Sequence, residues 1–236
     1  MIPKIVHIAW VDKNLLSSNH PLILNGIKNF NILNPDWSIT ISDDDDINYY
    51  LKNNLLKQHF NLVSNIGIVA KTDIWRLLKI YLEGGLYVDI DRLCNKSISN
   101  LFDNNTKWIL PTCRDHDFSH DIMLSDKSNP VFKCVIDLYL KRREMGINNT
   151  YFLGAMTYMH GIILYLTNQI INVNPGVEVI NSVRENLNQY SFIKTIRETP
   201  PQDTFLYNGY INVEMLETFK RSFYKENKIK HWTGDW

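Results

Sequence analysis

Asp73-Ile-Trp-Arg76, followed by Gly84-Gly-Leu-Tyr-Val-Asp-Ile-Asp91, holds the residues best able to do chemistry. Asp73 and Arg76 are three apart, so on a helix they share one face. Asp89 and Asp91 are two apart, so at the end of a strand both carboxylates project from the same face. The carboxyl end of a strand is where open α/β sheets hold ligands. Two carboxylates in that arrangement are hard oxygen ligands suited to Mg²⁺ or Mn²⁺. Such ions complete their shells with water and phosphate oxygens. A diphosphate is therefore a natural partner, with the metal stabilising charge on a departing phosphate. A bare Asp-x-Asp also arises where two carboxylates merely cap a loop; the Gly-Gly and the Asp/Arg helix in front set this one apart.

The elements that must position these groups are legible as patterns. Lys4 to Val11 reads as a buried strand, with Ile5, Val6, Ile8 and Trp10 apolar. Pro21 to Phe30 has helical spacing, Asn34-Pro35-Asp36 is a turn, and Trp37 to Ile41 is a second strand. Asp43 to Asp46 resembles a metal site, but acids capping a helix and facing its positive end account for it better. Val69 to Glu83 is a helix whose stripe is Ala70, Ile74, Leu77, Leu78 and Tyr81, with Asp73 and Arg76 on a separate face. Gly84-Gly85 ends it as a left-handed cap would, and Leu86 to Ile90 is a short strand. Lys107 to Pro111 reads as a strand, Asn129 to Arg143 and Tyr158 to Ile171 as helices, and Val177 to Val183 as a strand. Strands alternating with helices predict an α/β sheet covered by helices.

Composition narrows the setting. The 236 residues carry 25 basic and 25 acidic side chains, so there is no excess of positive charge for a nucleic acid or a polybasic membrane contact. The length is enough for one domain with a full core and no disulfide or structural metal. Cys94, Cys113 and Cys134 are odd in number and widely spaced, which argues against a disulfide framework or zinc ribbon. No run is long and apolar enough to span a bilayer, and Met1-Ile2-Pro3-Lys4 does not read as a secretory leader. A soluble cytoplasmic protein is expected, with peripheral membrane attachment as the alternative.

Ile2-Pro-Lys-Ile-Val-His-Ile-Ala-Trp10, Ala70-Lys-Thr-Asp73-x-x-Arg76, Gly84-Gly-Leu-Tyr-Val-Asp-x-Asp91 and the closing His231-Trp-Thr-Gly-Asp-Trp236 occur in that order. Together they resemble the DXD sugar-binding glycosyltransferases of family 32. These include the Och1-like and capsular-polysaccharide enzymes and are related to the catalytic domains of clostridial glucosylating toxins. The resemblance is densest over 70–91 and weak from about 95 to 225. It implies a GT-A fold, Rossmann-like with helical additions, over 1–236, with a nucleotide-sugar half at 1–112 and an acceptor half at 113–236. It implies transfer of a sugar from a nucleotide-diphosphate sugar, with retention of configuration, to a glycan, lipid-linked sugar or protein hydroxyl. UDP-sugars are favoured as donors over GDP-mannose, and Mn²⁺ or Mg²⁺ is the implied cofactor.

By residue, the resemblance places Trp10 on the donor base with Ala9 beside it, and Asp73 and Arg76 on the donor sugar and ribose. Tyr87 falls beside the diphosphate. Asp89 contacts ribose or sugar, with a water-mediated route to the metal, and Asp91 is the direct ligand. His231 and Asp235 close over metal and phosphates, and Trp236 meets the leaving diphosphate. Asp235 stands where the family has Ser. Leu153-Gly-Ala155 stands where it often has Thr-Gly-Pro, beside the acceptor.

Other residues read more plainly. His7 is a core or strand-pairing histidine, and Trp75 is packing. His116 and His120 are four apart but lack a third zinc ligand; Asp121 is the favoured polar group of that segment. Two competing readings are a degenerate nucleotide-sugar-binding scaffold and an aspartyl phosphatase. The intact Asp73, Arg76, Asp89 and Asp91 oppose the first, and Arg92 after the motif opposes the second.

Overall fold

The computed structural model describes residues 1–14, 21–90, 97–100, 103–113, 117–118, 120–168, 182, 183, 185, 187, 193–198, 222 and 225. Along the chain these form β1 (Ile5–Ala9), α1 (Pro21–Leu33), β2 (Ser38–Ser42), α2 (Asp44–Asn54), α3 (Lys57–Val63), α4 (Ile68–Glu83) and β3 (Gly85–Val88). A 3₁₀ turn at Ile98–Asn100 leads to β4 (Trp108–Cys113), β5 (Asp117–Phe118), β6 (Ile122–Ser125) and α5 (Pro130–Glu144). A π turn at Phe152–Met156 runs into α6 (Thr157–Thr167), and β7 is Ile193–Glu198.

One mixed sheet joins the strands. β1 lies between β2 and β3, parallel to both. β6 runs antiparallel between β3 and β4, and β7 pairs with β4 in parallel. β5 and β6 pair with different parts of β4, and the register slips by three residues between them, so the returning chain bulges between the two pairings. That bulge carries His120 and Asp121.

The pleat divides the core. Val6, Ile8, Leu86, Val88, Ile109, Ile122 and Leu124 join Ile27, Phe30, Trp37 and Ile98 on one side. Tyr87, Trp108, Leu110 and Met123 join Ile74, Leu78, Phe132, Val135 and Ile162 on the other. This period-2 alternation between two covered faces is what a sheet between helical layers requires.

Several expectations change. Asp73 and Arg76, set apart from the apolar stripe in the sequence, are buried together with Ile74, Trp75, Leu77 and Leu78, while Lys71, Thr72, Lys79 and Glu83 stay partly exposed. Sheet and helices press on α4 from several sides. Gly84 caps α4 with φ 71° but ψ −164°, so the chain turns through a glycine region other than the left-handed helical one. Gly85 follows at φ 92°, and a Cβ there would lie 2.4 Å from the Ile5 carbonyl oxygen, so β1 and β3 approach across bare backbone. β3 ends at Val88, one residue before Asp89. α6 ends at Thr167 because Asn168 adopts the left-handed conformation, short of the expected Ile171. Of the expected strand Val177 to Val183, residues 182 and 183 are helical and the rest lies outside the described residues.

Candidate functional site

The site is built from α4, the end of β3, the bulge before β6 and the π turn before α6. α4 is anchored at its start, where the Tyr139 hydroxyl of α5 donates to the Ala70 carbonyl at 2.7 Å. One turn on, Asp73 and Arg76 face each other, with guanidinium nitrogen to Oδ1 at 3.2 Å. The same guanidinium reaches Asp89 Oδ1 at 3.3 Å and donates to the His120 carbonyl at 3.0 Å. It also lies 4.5 Å above the Tyr87 ring. Tyr87 donates its hydroxyl to Asp89 Oδ1 at 2.5 Å, and Trp75 meets the Tyr87 ring edge-on. Asp89 is fixed through its backbone as well, since its N–H donates to the Asp121 carbonyl at 2.8 Å.

Burial grades the site from closed to open. Asp73 is 4% exposed, while the Asp89 side chain keeps 31% of its surface. Desolvation raises the Asp73 carboxyl above its ordinary range, although Arg76 and His120 pull it back. His120 Nε2 stands 3.7 Å from Asp73 Oδ1. Burial and then Arg76 lower its pKa, so near neutral pH it is a neutral imidazole. Arg76 is held cationic, because Tyr87, Asp89 and Asp73 outweigh its own desolvation. The other Asp73 oxygen faces Gly154: a Cβ built on Gly154 would lie 2.3 Å from Oδ2. Only glycine fits there.

Two carboxylates against one guanidinium leave negative charge at the exposed Asp89 end. A divalent cation with hard-oxygen preference fits that surplus. Asp89 is committed on one oxygen to Arg76 and Tyr87, which suits a shared or water-mediated ligand. Among the described residues no group of three metal-binding side chains is assembled. Asp91, His231, Asp235 and Trp236 lie outside the described residues, as do Cys94 and His116.

The structure thus brings together four of the expected site residues: Asp73, Arg76, Tyr87 and Asp89. Ala9 and Trp10 lie at the carboxyl end of β1, the strand adjoining β3. Trp10 is 7% exposed and belongs to the same apolar cluster as Ile27, Phe30 and Trp37. His7 is structural, its Nε2 paired with the Gly84 carbonyl at 2.9 Å. Sequence reasoning misses the roles of His120 and Gly154. His120 stands out in the sequence only as half of a rejected zinc pair, whereas its place is set by contacts of its carbonyl with Arg76 and its ring with Asp73; Gly154 stands out only as part of a departure from the family pattern.

Residues 22–108 match the family model described as the glycosyltransferase sugar-binding region containing the DXD motif. An uncharacterized glycosyltransferase of Acanthamoeba polyphaga mimivirus is 25% identical over 178 residues, 73% of this chain and 69% of that protein. Among solved structures, the PaToxG glycosyltransferase superposes with a TM-score of 0.51 at 18% identity, covering 79% of this chain and 78% of that one. The latter similarity shows a shared α/β fold of the GT-A type. Among the described residues, no helix is long and apolar enough to cross a membrane.

Proposed function

We propose that the chain is a glycosyltransferase whose DXD sugar-binding region serves to transfer a hexose from a nucleotide-diphosphate sugar with metal dependence and retention of configuration. A UDP-sugar is the favoured donor, GDP-mannose the alternative, and the acceptor is a hydroxyl of a glycan, a lipid-linked sugar or a protein. The observation that carries this reading is the bridge by Arg76 between buried Asp73 and partly exposed Asp89. It locks the DXD acid to a helix-borne acid through one guanidinium.

In this reading 1–112 holds the donor and 113–236 the acceptor, within one domain. Ala9 and Trp10 take the nucleobase. Asp73 accepts hydrogen bonds from sugar hydroxyls while Arg76 donates to ribose or sugar oxygens. Tyr87 restrains Asp89 beside the diphosphate. Asp89 and Asp91 would hold Mn²⁺ or Mg²⁺, with His231 and Asp235 closing over it and Trp236 against the diphosphate. The cation when bound supplies positive charge against the departing nucleotide diphosphate. The chain itself contributes orientation and fixed charge, which together supply most of the rate when a leaving group carries the developing charge.

The test is nucleotide release from a panel of UDP- and GDP-sugars with Mn²⁺ and no acceptor. Release from one donor, abolished by chelator, is the expected result. A silent panel together with no nucleotide-dependent rise in melting temperature would remove the donor-site reading.

A further inference from the structure

We infer that Arg142, together with Thr157 and His160, is a positioning device for Asp73, acting through the π turn that carries Gly154. The inference rests on the donor-site reading given above. Asp73 is gripped from two directions. Arg76 and His120 approach Oδ1, and the bare backbone of Gly154 approaches Oδ2. Gly154 can stand there because residues 152–156 form a π turn, one residue wider than an α-helical turn. Such turns are rare and need outside support.

The support comes from the far side of the turn. The Thr157 hydroxyl donates to the Phe152 carbonyl, five residues back, at 2.8 Å. Arg142 of α5 donates to that same hydroxyl at 2.7 Å and to the Phe152 carbonyl at 3.5 Å. It donates also to His160 Nδ1, which leaves the proton of the neutral ring on Nε2. The guanidinium lies 4.2 Å over the Phe152 ring, and His160 meets that ring edge-on. The first residue of the turn is therefore held by its carbonyl and its ring at once.

Arg142, Thr157 and His160 are all buried. Among the described residues Arg142 has no carboxylate partner, and burial lowers its pKa to about 10. A buried cation with neutral partners is a costly way to fill space, and an apolar side chain of similar volume would often serve stability as well. What an apolar residue cannot supply is the rigid fork of donors that fixes one carbonyl and one hydroxyl together. Removing the fork frees the turn to relax toward an α-helical one, shifting Gly154 from Asp73.

The experiment uses the full chain and compares wild type with Arg142→Met, Thr157→Val, Thr157→Ser and Gly154→Ala. Turnover and binding of UDP-glucose and GDP-mannose are measured beside binding of free UDP and GDP and thermal unfolding. Arg142→Met is expected to lose about tenfold in affinity for the sugar nucleotide that wild type uses, and Thr157→Val about threefold, with free nucleotide binding unchanged. Thr157→Ser keeps the hydroxyl and restores the wild-type value. Adding Arg142→Met to Gly154→Ala should cost nothing further, because both act on one turn. Should Arg142→Met fail to fold, the Thr157 pair decides by the same readouts. Equal losses for sugar nucleotide and free nucleotide, or unchanged affinity for both, overturn the inference alone. A wild type that binds none of the four nucleotides overturns the donor-site reading and this inference with it.

Discussion

The acids Asp43 to Asp46 and the acids Asp73 and Asp89 have opposite fates. The run of four is the most conspicuous acidic feature of the sequence, yet its charges are settled locally. Asp43 caps α2, accepting from the Asp46 N–H at 2.9 Å, and Asp46 returns a carboxylate to the Asp43 N–H at 3.3 Å. Lys13 pairs with both at 2.9 and 3.1 Å, and Asp44 and Asp45 face solvent near the positive end of the helix. Asp73 and Asp89 are sixteen positions apart. Their charges are settled by one guanidinium that also engages β3 and the bulge before β6. The backbone bond from Asp46 holds the Asp43 carboxyl below its ordinary range, whereas desolvation lifts that of Asp73. Density along the chain marks a cap; convergence of distant elements on one buried cation marks a site.

The largest effect expected from this contrast follows Arg76→Ala. It strands Asp73 in the core without its cation, a loss of about 3–5 kcal/mol by analogy with broken buried pairs. Donor turnover should fall to background. Part of the lost stability should return on lowering the pH, because protonating Asp73 removes the uncompensated charge. Urea unfolding at pH 7 and pH 5 reads both. A variant within about 1 kcal/mol of wild type at pH 7 would show that Arg76 is not what compensates Asp73.

Asp73→Asn separates stability from activity. The Asp73 carboxyl is raised in the folded state, so between the unfolded value near 3.8 and the higher folded value the native protein binds more protons. Its contribution to stability is therefore fully present below about 3.8 and falls as pH rises through the folded value. Asn lacks that fall. The variant should gain on wild type in melting temperature from pH 4 to pH 7 while losing more than about 100-fold in turnover. A deficit that widens toward pH 7 would mean that the ionised carboxylate stabilises the fold after all.

Local periodicity explains what is legible in the sequence. The α4 stripe, the Gly-Gly corner, β1, β2 and the capped start of α2 all follow from spacing within a few residues. β6 is hidden for the converse reason. Ile122 to Ser125 is buried on both faces, so it shows no alternation, and its place between β3 and β4 is set by long-range antiparallel pairing. β7 and the seven-residue α3 are equally illegible. His120 reaches the site because of a register slip, and Gly154 because of a turn one residue too wide; local composition announces neither role. The burial of Asp73 and Arg76 is hidden for a related reason: an amphipathic pattern does not reveal that a second layer of protein will cover the face that carries them.

Asp43→Ala is the smallest change of the three and the sharpest check on the acidic run. It removes the cap and one half of the capping box, for a loss of about 1 kcal/mol. In a chain of this size that corresponds to a drop of about 2–4 °C in melting temperature. Its pH signature is opposite to that of Asp73. The Asp43 carboxyl lies below its unfolded value, so its stabilisation is present above about 3.8 and is lost as pH falls through the folded value. The stability gap between wild type and Asp43→Ala should thus close in acid, whereas the gap for Asp73→Asn opens toward neutral pH. Turnover and its metal dependence should be unchanged in Asp43→Ala. A variant that needs more Mn²⁺ for half-maximal turnover would move the acidic run from the scaffold into the site, because a cap made of backbone bonds has no means of sensing the ion.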